Sequence, residues 1–244
     1  MKLKTALLAA ASTSLLAFAG AATAQTTYNG PFVGNTVTYS NVIDGDDLFG
    51  APTLSADTLN FTPVGFNAQS TNGGIDLVDG FLSTVIEAND GQAITGFTLQ
   101  ESGVFALDSI NAATGTADTR VQVSVGFSVN ILEVDGSAVS VPFIITDDVL
   151  LMANLADDRG IGQAWAASTS LDLVSLAAGQ GVTGDITKAI VTLDNQLLAV
   201  SEAGTTSFVD KKGVRAVSIT VPEPTSALFV LGAGAMLLRR RVAA

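Results

Sequence analysis

Val121, Val123, Val125, Phe127, Val129 and Ile131 form one side of a strict two-residue alternation, with Gln122, Ser124, Gly126, Ser128 and Asn130 on the other. Only an extended strand puts every second side chain on one face, so this run predicts a strand half in a core and half in water. Asp135-Gly136 follows, a pair that hairpin turns favour because both positions accept positive φ. Val139, Val141, Phe143 and Ile145 then alternate again. The same habit recurs at Gly80 to Ala88 and Ala93 to Gln100 around Asn89-Asp90-Gly91, and at Gln163 to Leu173 with Trp165 and Leu171 on one face. It recurs again at Ile186 to Val200, interrupted at Asp194-Asn195, while Lys211-Lys212-Gly213 separates Thr206 to Val209 from Val214 to Val221. Turn signals at such short spacing predict an all-β fold, a single jelly-roll-like β-sandwich, rather than alternating βα units. Asp148 to Ala156 alone reads as helical, and no sustained 3.6-residue stripe runs elsewhere.

Composition removes whole classes of chemistry. The chain has no His and no Cys, so it has no Ser-His-Asp triad, no thiol nucleophile, no His or Cys zinc site and no disulfide. Asp plus Glu number 23 against 11 Lys plus Arg, a formal net charge of -12. Five of the basic residues sit in the two terminal segments, so the interior is more acidic still. Such a surface repels phosphate backbones and argues against nucleic-acid binding.

Both ends read as addresses. Lys2 and Lys4, the uncharged apolar run Ala6 to Ala19 and Ala22-Thr23-Ala24 form a secretory signal, cleaved by signal peptidase between Ala24 and Gln25. At the other end stand Val221-Pro222-Glu223-Pro224, the apolar run Thr225 to Leu238 and Arg239-Arg240-Arg241. As a helix that run spans about 21 Å at ~1.5 Å per residue, short of a bilayer core of about 30 Å. It is marginal as a permanent anchor. The arginines orient it with the last residues in the cytoplasm, and the prolines predict an extended linker outside the membrane. Segments 1–24, 25–220 and 221–244 are thus signal peptide, ectodomain and sorting tail with a short hydrophobic helix.

This tail, with Pro222-Glu223-Pro224, a short apolar span and a basic terminus in order, resembles the PEP-CTERM sorting signal of exopolysaccharide-producing Gram-negative bacteria. The resemblance implies transient inner-membrane insertion, recognition by an exosortase, cleavage near the Pro-Glu-Pro motif and release to the cell surface or extracellular matrix. In that reading Arg239, Arg240 and Arg241 are the stop signal. The stretches Leu48 to Gly80 and Leu193 to Gly213 also resemble two segments recurrent among proteins carrying this tail, mostly uncharacterised secreted β-sandwiches, and imply no catalytic residue.

Within the ectodomain, Asp44, Asp46 and Asp47, and Asp76 and Asp79 beside Asn72-Gly73-Gly74, are candidates for a structural calcium, which takes six to eight oxygens. Neither stretch fits an EF-hand or a nonapeptide calcium repeat, and Asp and Gly are what turns are made of. No other cofactor is expected. The doublets Asp147-Asp148 and Asp157-Asp158 point to opposite faces on a strand and make no glycosidase pair by themselves. Trp165, Tyr28 and Tyr39 are few for a sugar-stacking face, and Trp165 reads as core. Lys211 and Lys212, near Glu202 in sequence, suggest a covalent isopeptide or catalytic lysine, with a solvated hairpin tip the preferred reading. Exposed edges poor in Lys invite self-association. The sequence therefore predicts a non-enzymatic surface or matrix protein associated with exopolysaccharide. A glycan-binding module, calcium-dependent or not, is the alternative, and an extracellular hydrolase the third reading.

Overall fold

The computed structural model describes residues 25–109 and 116–223, and the side chains of all of these except 140–149. Residues 1–24 and 224–244, including the signal segment, Pro224 and the arginine cluster, lie outside the described residues. Among the described residues the chain runs β1 (Thr26–Tyr28), β2 (Phe32–Val33), β3 (Val37–Asp44), β4 (Thr53–Ser55), β5 (Thr58–Phe61), β6 (Asn67–Thr71) and β7 (Gly74–Ala88). It continues through β8 (Gly96–Ser109), β9 (Arg120–Val134), β10 (Ser137–Asn154), β11 (Gly160–Asp172), α1 (Leu173–Gly179), β12 (Ile186–Ser201), β13 (Thr205–Asp210) and β14 (Val217–Thr220).

Two antiparallel sheets result, in keeping with a β-sandwich. One has the order β1-β3-β7-β12-β9-β10 with β2 added on β3, the other β4-β5-β14-β8-β13-β6 with β11 added on β8. The inward residues of β9, from Val121 to Ile131 at every second position, are all buried. They meet Phe97, Leu99, Phe105 and Leu107 of β8 across the core, and the rings of Phe97 and Phe127 stand 6.4 Å apart between the sheets. Phe49 packs edge-on to Phe61 at 6.0 Å and Phe66 at 5.3 Å, closing one region of this core. Each such side chain contributes roughly 1.5–3 kcal/mol on burial, so alternation in the sequence becomes adhesion between the sheets.

The predicted hairpin is present. β9 and β10 pair antiparallel from Val134 opposite Ser137 onward, and Asp135 and Gly136 both take positive φ, 50° and 71°. Four expectations fail in instructive ways. Asp148 to Ala156 is not helical: β10 runs on to Asn154, because the edge of β9 extends back to Arg120 and its amides and carbonyls need partners. The one helix among the described residues, α1, is seven residues long, too short to show a periodic stripe, and is set by its cap. Asp172 accepts from the Ser175 amide at 3.0 Å and the Ser175 hydroxyl at 2.6 Å. Asn89-Asp90-Gly91 joins strands of different sheets rather than closing a hairpin. Asp194 and Asn195 do not interrupt β12, which pairs continuously with β7 from Lys188 to Ser201.

The fold near Lys211 departs furthest from the sequence reading. β11 covers one edge of β8 from Gly96 to Leu107. β13 pairs with β8 at Val104 to Ser109, and β14 pairs with it at Thr98 to Glu101. A strand has two edges, so β13 and β14 lie end to end along the second one, a single line broken by residues 211–216. Gly103 faces the break. A Cβ there would stand 1.9 Å from the Asp210 carbonyl oxygen and 2.7 Å from the Trp165 indole nitrogen. Only glycine lets the end of β13 bend this close over β8.

Gly103→Val should therefore lower stability by about 1–3 kcal/mol, read as a reduced denaturant midpoint. Gly179→Ala, where an added Cβ meets open space, should not; equal losses would show that close approach at Gly103 is not what matters.

Candidate functional site

The alternation that builds the core also carries three polar side chains into it. On β8 the inward series Phe97, Leu99, Glu101, Gly103, Phe105 puts Glu101 between the sheets. On β12 the series Val191, Leu193, Asn195, Leu197 does the same for Asn195. From β13, Ser207, Val209 and Lys211 keep the phase past the end of the strand, and the Lys211 amide donates to the Phe66 carbonyl at 3.0 Å, holding that phase as the chain leaves the sheet.

The three converge. Lys211 Nζ lies 2.5 Å from Glu101 Oε2, both side chains wholly out of solvent, and it also donates to Asn195 Oδ1. The Phe66 ring lies against the ammonium group with its centroid 5.0 Å from Nζ, a cation–π contact. Glu101 Oε1 and Asn195 Nδ2 have no hydrogen-bond partner although both are buried. Burial lowers the Lys211 ammonium from its ordinary range, opposed by the Glu101 charge and its hydrogen bond. An amine, a carboxyl group and a carboxamide thus meet in a dry, aromatic-walled space spanning both sheets. That arrangement is suited to proton exchange between amine and carboxyl, and to reaction at the carboxamide carbon.

This overturns the hairpin-tip reading of Lys211. The residue is buried, and its carboxylate is Glu101, not Glu202. Glu202 sits at the surface, accepting from Thr116 and from Thr119 Oγ1 at 3.1 Å. The signal was available in the sequence: Asn195 and Glu101 each occupy an inward place in an otherwise apolar alternation.

The candidate calcium aspartates lie at the end of β3 and just after it, Asp44 to Asp47, and on β7, Asp76 and Asp79. Asp44 is fully buried and accepts three backbone amides, Leu48 at 3.1 Å, Phe49 at 2.8 Å and Gly50 at 3.0 Å. Asp46 accepts the Phe81 amide, Asp47 the Thr26 hydroxyl and Asp76 the Gln69 amide. Among the described residues no three acidic groups, Asp79 included, gather as a metal site would require. Asp157 and Asp158 cap the turn after β10 through Asn154, and the side chains of Asp147 and Asp148 lie outside the described residues. Trp165 is core, as expected, and so is Tyr39, whose hydroxyl donates to the Asp57 carbonyl at 2.6 Å. Burial pushes the Tyr39 phenol well above its usual range.

Of the residues expected from the sequence to direct sorting and cleavage, Gln25, Pro222 and Glu223 are described; Ala24, Pro224 and Arg239 to Arg241 lie outside the described residues. Val221 is buried with its amide on the Asp57 carbonyl at 3.1 Å, Pro222 is exposed, and Glu223 accepts from Asn35 Nδ2 at 3.1 Å. On the outer face, an open groove of about 410 Å³ runs over β8 and β11, lined by Gln100, Glu101, Ser102, Ala167, Ser168 and Arg215.

No family model matches the chain, and no curated protein matches it. Among solved structures it is similar to the carbohydrate-binding module TmCBM61 in complex with β-1,4-galactotriose, at 10% identity over 68% of this chain and 70% of that one, with a TM-score of 0.20. The enzymatically active domain of bacteriophage CBA120 tailspike protein 4 aligns at 13% identity over 81% of this chain and 19% of that one, TM-score 0.19. The subviral particle of infectious bursal disease virus VP2 aligns at 10% identity over 86% and 61%, TM-score 0.20. Scores at this level assign neither a ligand nor a reaction to this chain.

Since three backbone amides depend on Asp44, Asp44→Ala should cost about 2–4 kcal/mol. Thermal denaturation with added calcium and with chelator should give the same loss; a loss confined to calcium-containing buffer would make Asp44 a metal ligand instead.

Proposed function

We propose that this is an exported, non-enzymatic protein of the cell surface or exopolysaccharide matrix of a Gram-negative bacterium, trimmed by signal peptidase after Ala24 and by an exosortase near Pro222-Glu223-Pro224. The observation that carries the reading is where the first and last described strands lie relative to the two processing sites. β1 opens at Thr26, one residue past Gln25, and β14 closes at Thr220, two residues before Pro222. Val221 is pinned by Asp57, and the chain reaches solvent at Pro222. A protease acting near Pro222 would cut outside β14, leaving the described strands whole. Both sheets are antiparallel and the chain crosses repeatedly between them, which supports a jelly-roll-like sandwich. The acidic surface suits a soluble matrix component.

One observation favours the alternative class, a glycan-binding module. The groove over β8 and β11 is lined in part by Gln100, Ser102, Ser168 and Arg215, residue types whose side chains hydrogen-bond to sugar hydroxyls. Retention on the producer's own polysaccharide, lost in Arg215→Ala, would favour this reading over a purely structural one.

The test of sorting is the intact mass of the protein from the surface fraction of producing cells. Loss of everything beyond the Pro222 to Glu223 region supports exosortase processing, and a full-length tail overturns it. Replacing Arg239, Arg240 and Arg241 by Gln should reduce the sorted product, since the positive residues hold the short span in place; unchanged processing would remove their role as a stop signal.

A further inference from the structure

We propose that Lys211 and Asn195 form an intramolecular amide bond between their side chains, with Glu101 as the proton carrier, locking one sheet of the sandwich to the other. The first support is position. Lys211 Nζ is already seated against the side-chain carboxamide of Asn195, in contact with its oxygen, and 2.5 Å from the Glu101 carboxylate. The second is the pair of unused atoms. Asn195 Nδ2, the nitrogen that would leave, and Glu101 Oε1 are both buried without a partner. For a purely structural ion pair these orphans are an unexplained cost, whereas in a reacting cluster they are the nitrogen that leaves and a carboxylate oxygen open to carry its proton.

The third support is the surroundings. Phe66 lies against Nζ, all three side chains are sequestered from water, and there is no His or Cys anywhere in the chain to supply another base or nucleophile. Burial lowers the Lys211 ammonium from its ordinary range and so favours the neutral amine. A neutral lysine amine is a competent nucleophile.

The step balances without any co-reactant. Lys211 passes a proton to Glu101 and its neutral amine attacks Cγ of Asn195, forming the new C–N bond. Glu101 hydrogen-bonds the carboxamide oxygen as charge develops there, then relays the proton shed by the attacking nitrogen to Nδ2. The Cγ–Nδ2 bond breaks and ammonia leaves. One primary amide becomes one secondary amide, nothing is oxidised or reduced, and Glu101 ends as an uncharged acid in an uncharged interior. Asn195 lies on β12 of one sheet, while Lys211 extends β13 of the other. The bond therefore crosses the core.

The experiment is peptide mass analysis of the denatured full chain after digestion with trypsin and, separately, with a glutamyl protease. The expected result is a tryptic peptide that begins at Ala189 and reads through Lys211, about 17 Da below its sequence mass through loss of one ammonia. Cleavage after Glu202 should leave the Asn195 and Lys211 fragments joined. Ordinary cleavage after Lys211 with unshifted mass overturns the proposal. So does the same mass loss with Lys211 still cleavable, which is a succinimide at Asn195. Glu101→Gln, close in shape, should abolish the linkage, and linkage persisting in that variant overturns the role given to Glu101. The wild-type digest decides the existence of the bond even if the variant does not fold.

Discussion

An amine withdrawn from water costs several kcal/mol unless charge and hydrogen bonds replace the solvent, and the interior of this sandwich is arranged around meeting that cost for Lys211. Glu101 comes from the central strand of one sheet, Asn195 from the middle of the other, and Phe66 from the loop before β6. None of these is a sequence neighbour of Lys211. The cluster can assemble only when both sheets are in register and face each other correctly, so it reports on the whole fold rather than on any one hairpin. Removing one partner leaves the others buried and unsatisfied, which makes the cluster intolerant of partial change.

The broken line of β13 and β14 follows from the same need. A continuous strand along β8 would carry residues 211–216 through the hydrogen-bond ladder. The break instead lets the chain turn, with Gly103 clearing room for the Asp210 carbonyl, and resume at Val217 with Ser102 donating to the Ala216 carbonyl at 2.8 Å. From there only four strand residues remain before the exit at Pro222. Asp57 ties this exit back into the fold. Its carbonyl takes the Val221 amide and the Tyr39 hydroxyl, and its carboxylate takes the Thr36 amide and hydroxyl.

The sequence announces strands wherever alternation is apolar, which is why β9, β10 and the buried face of Trp165 were readable. It conceals them wherever a polar residue stands in an inward place. Asp194-Asn195 looked like a break and Lys211 like a tip, because pattern reading treats polarity as exposure. The partner that makes Lys211 tolerable is 110 positions away, and such pairing has no local signature. The long reach of β10 past Asp148 was likewise set by the edge of β9, not by its own residues. The addresses proposed for the two ends are a different kind of reading, made from linear text without reference to packing.

The exit of the chain through β14 has a mechanical side. A protein held to a surface by its C-terminus takes load at Pro222 first, and a pull along the strand puts the rungs joining β14 to β5 and β8 in shear, where they share the force instead of parting one by one. Those rungs are few. The tension then reaches Lys211, the first residue beyond the break that is rooted in both sheets at once, so the molecule has a short yielding section followed by a firm one.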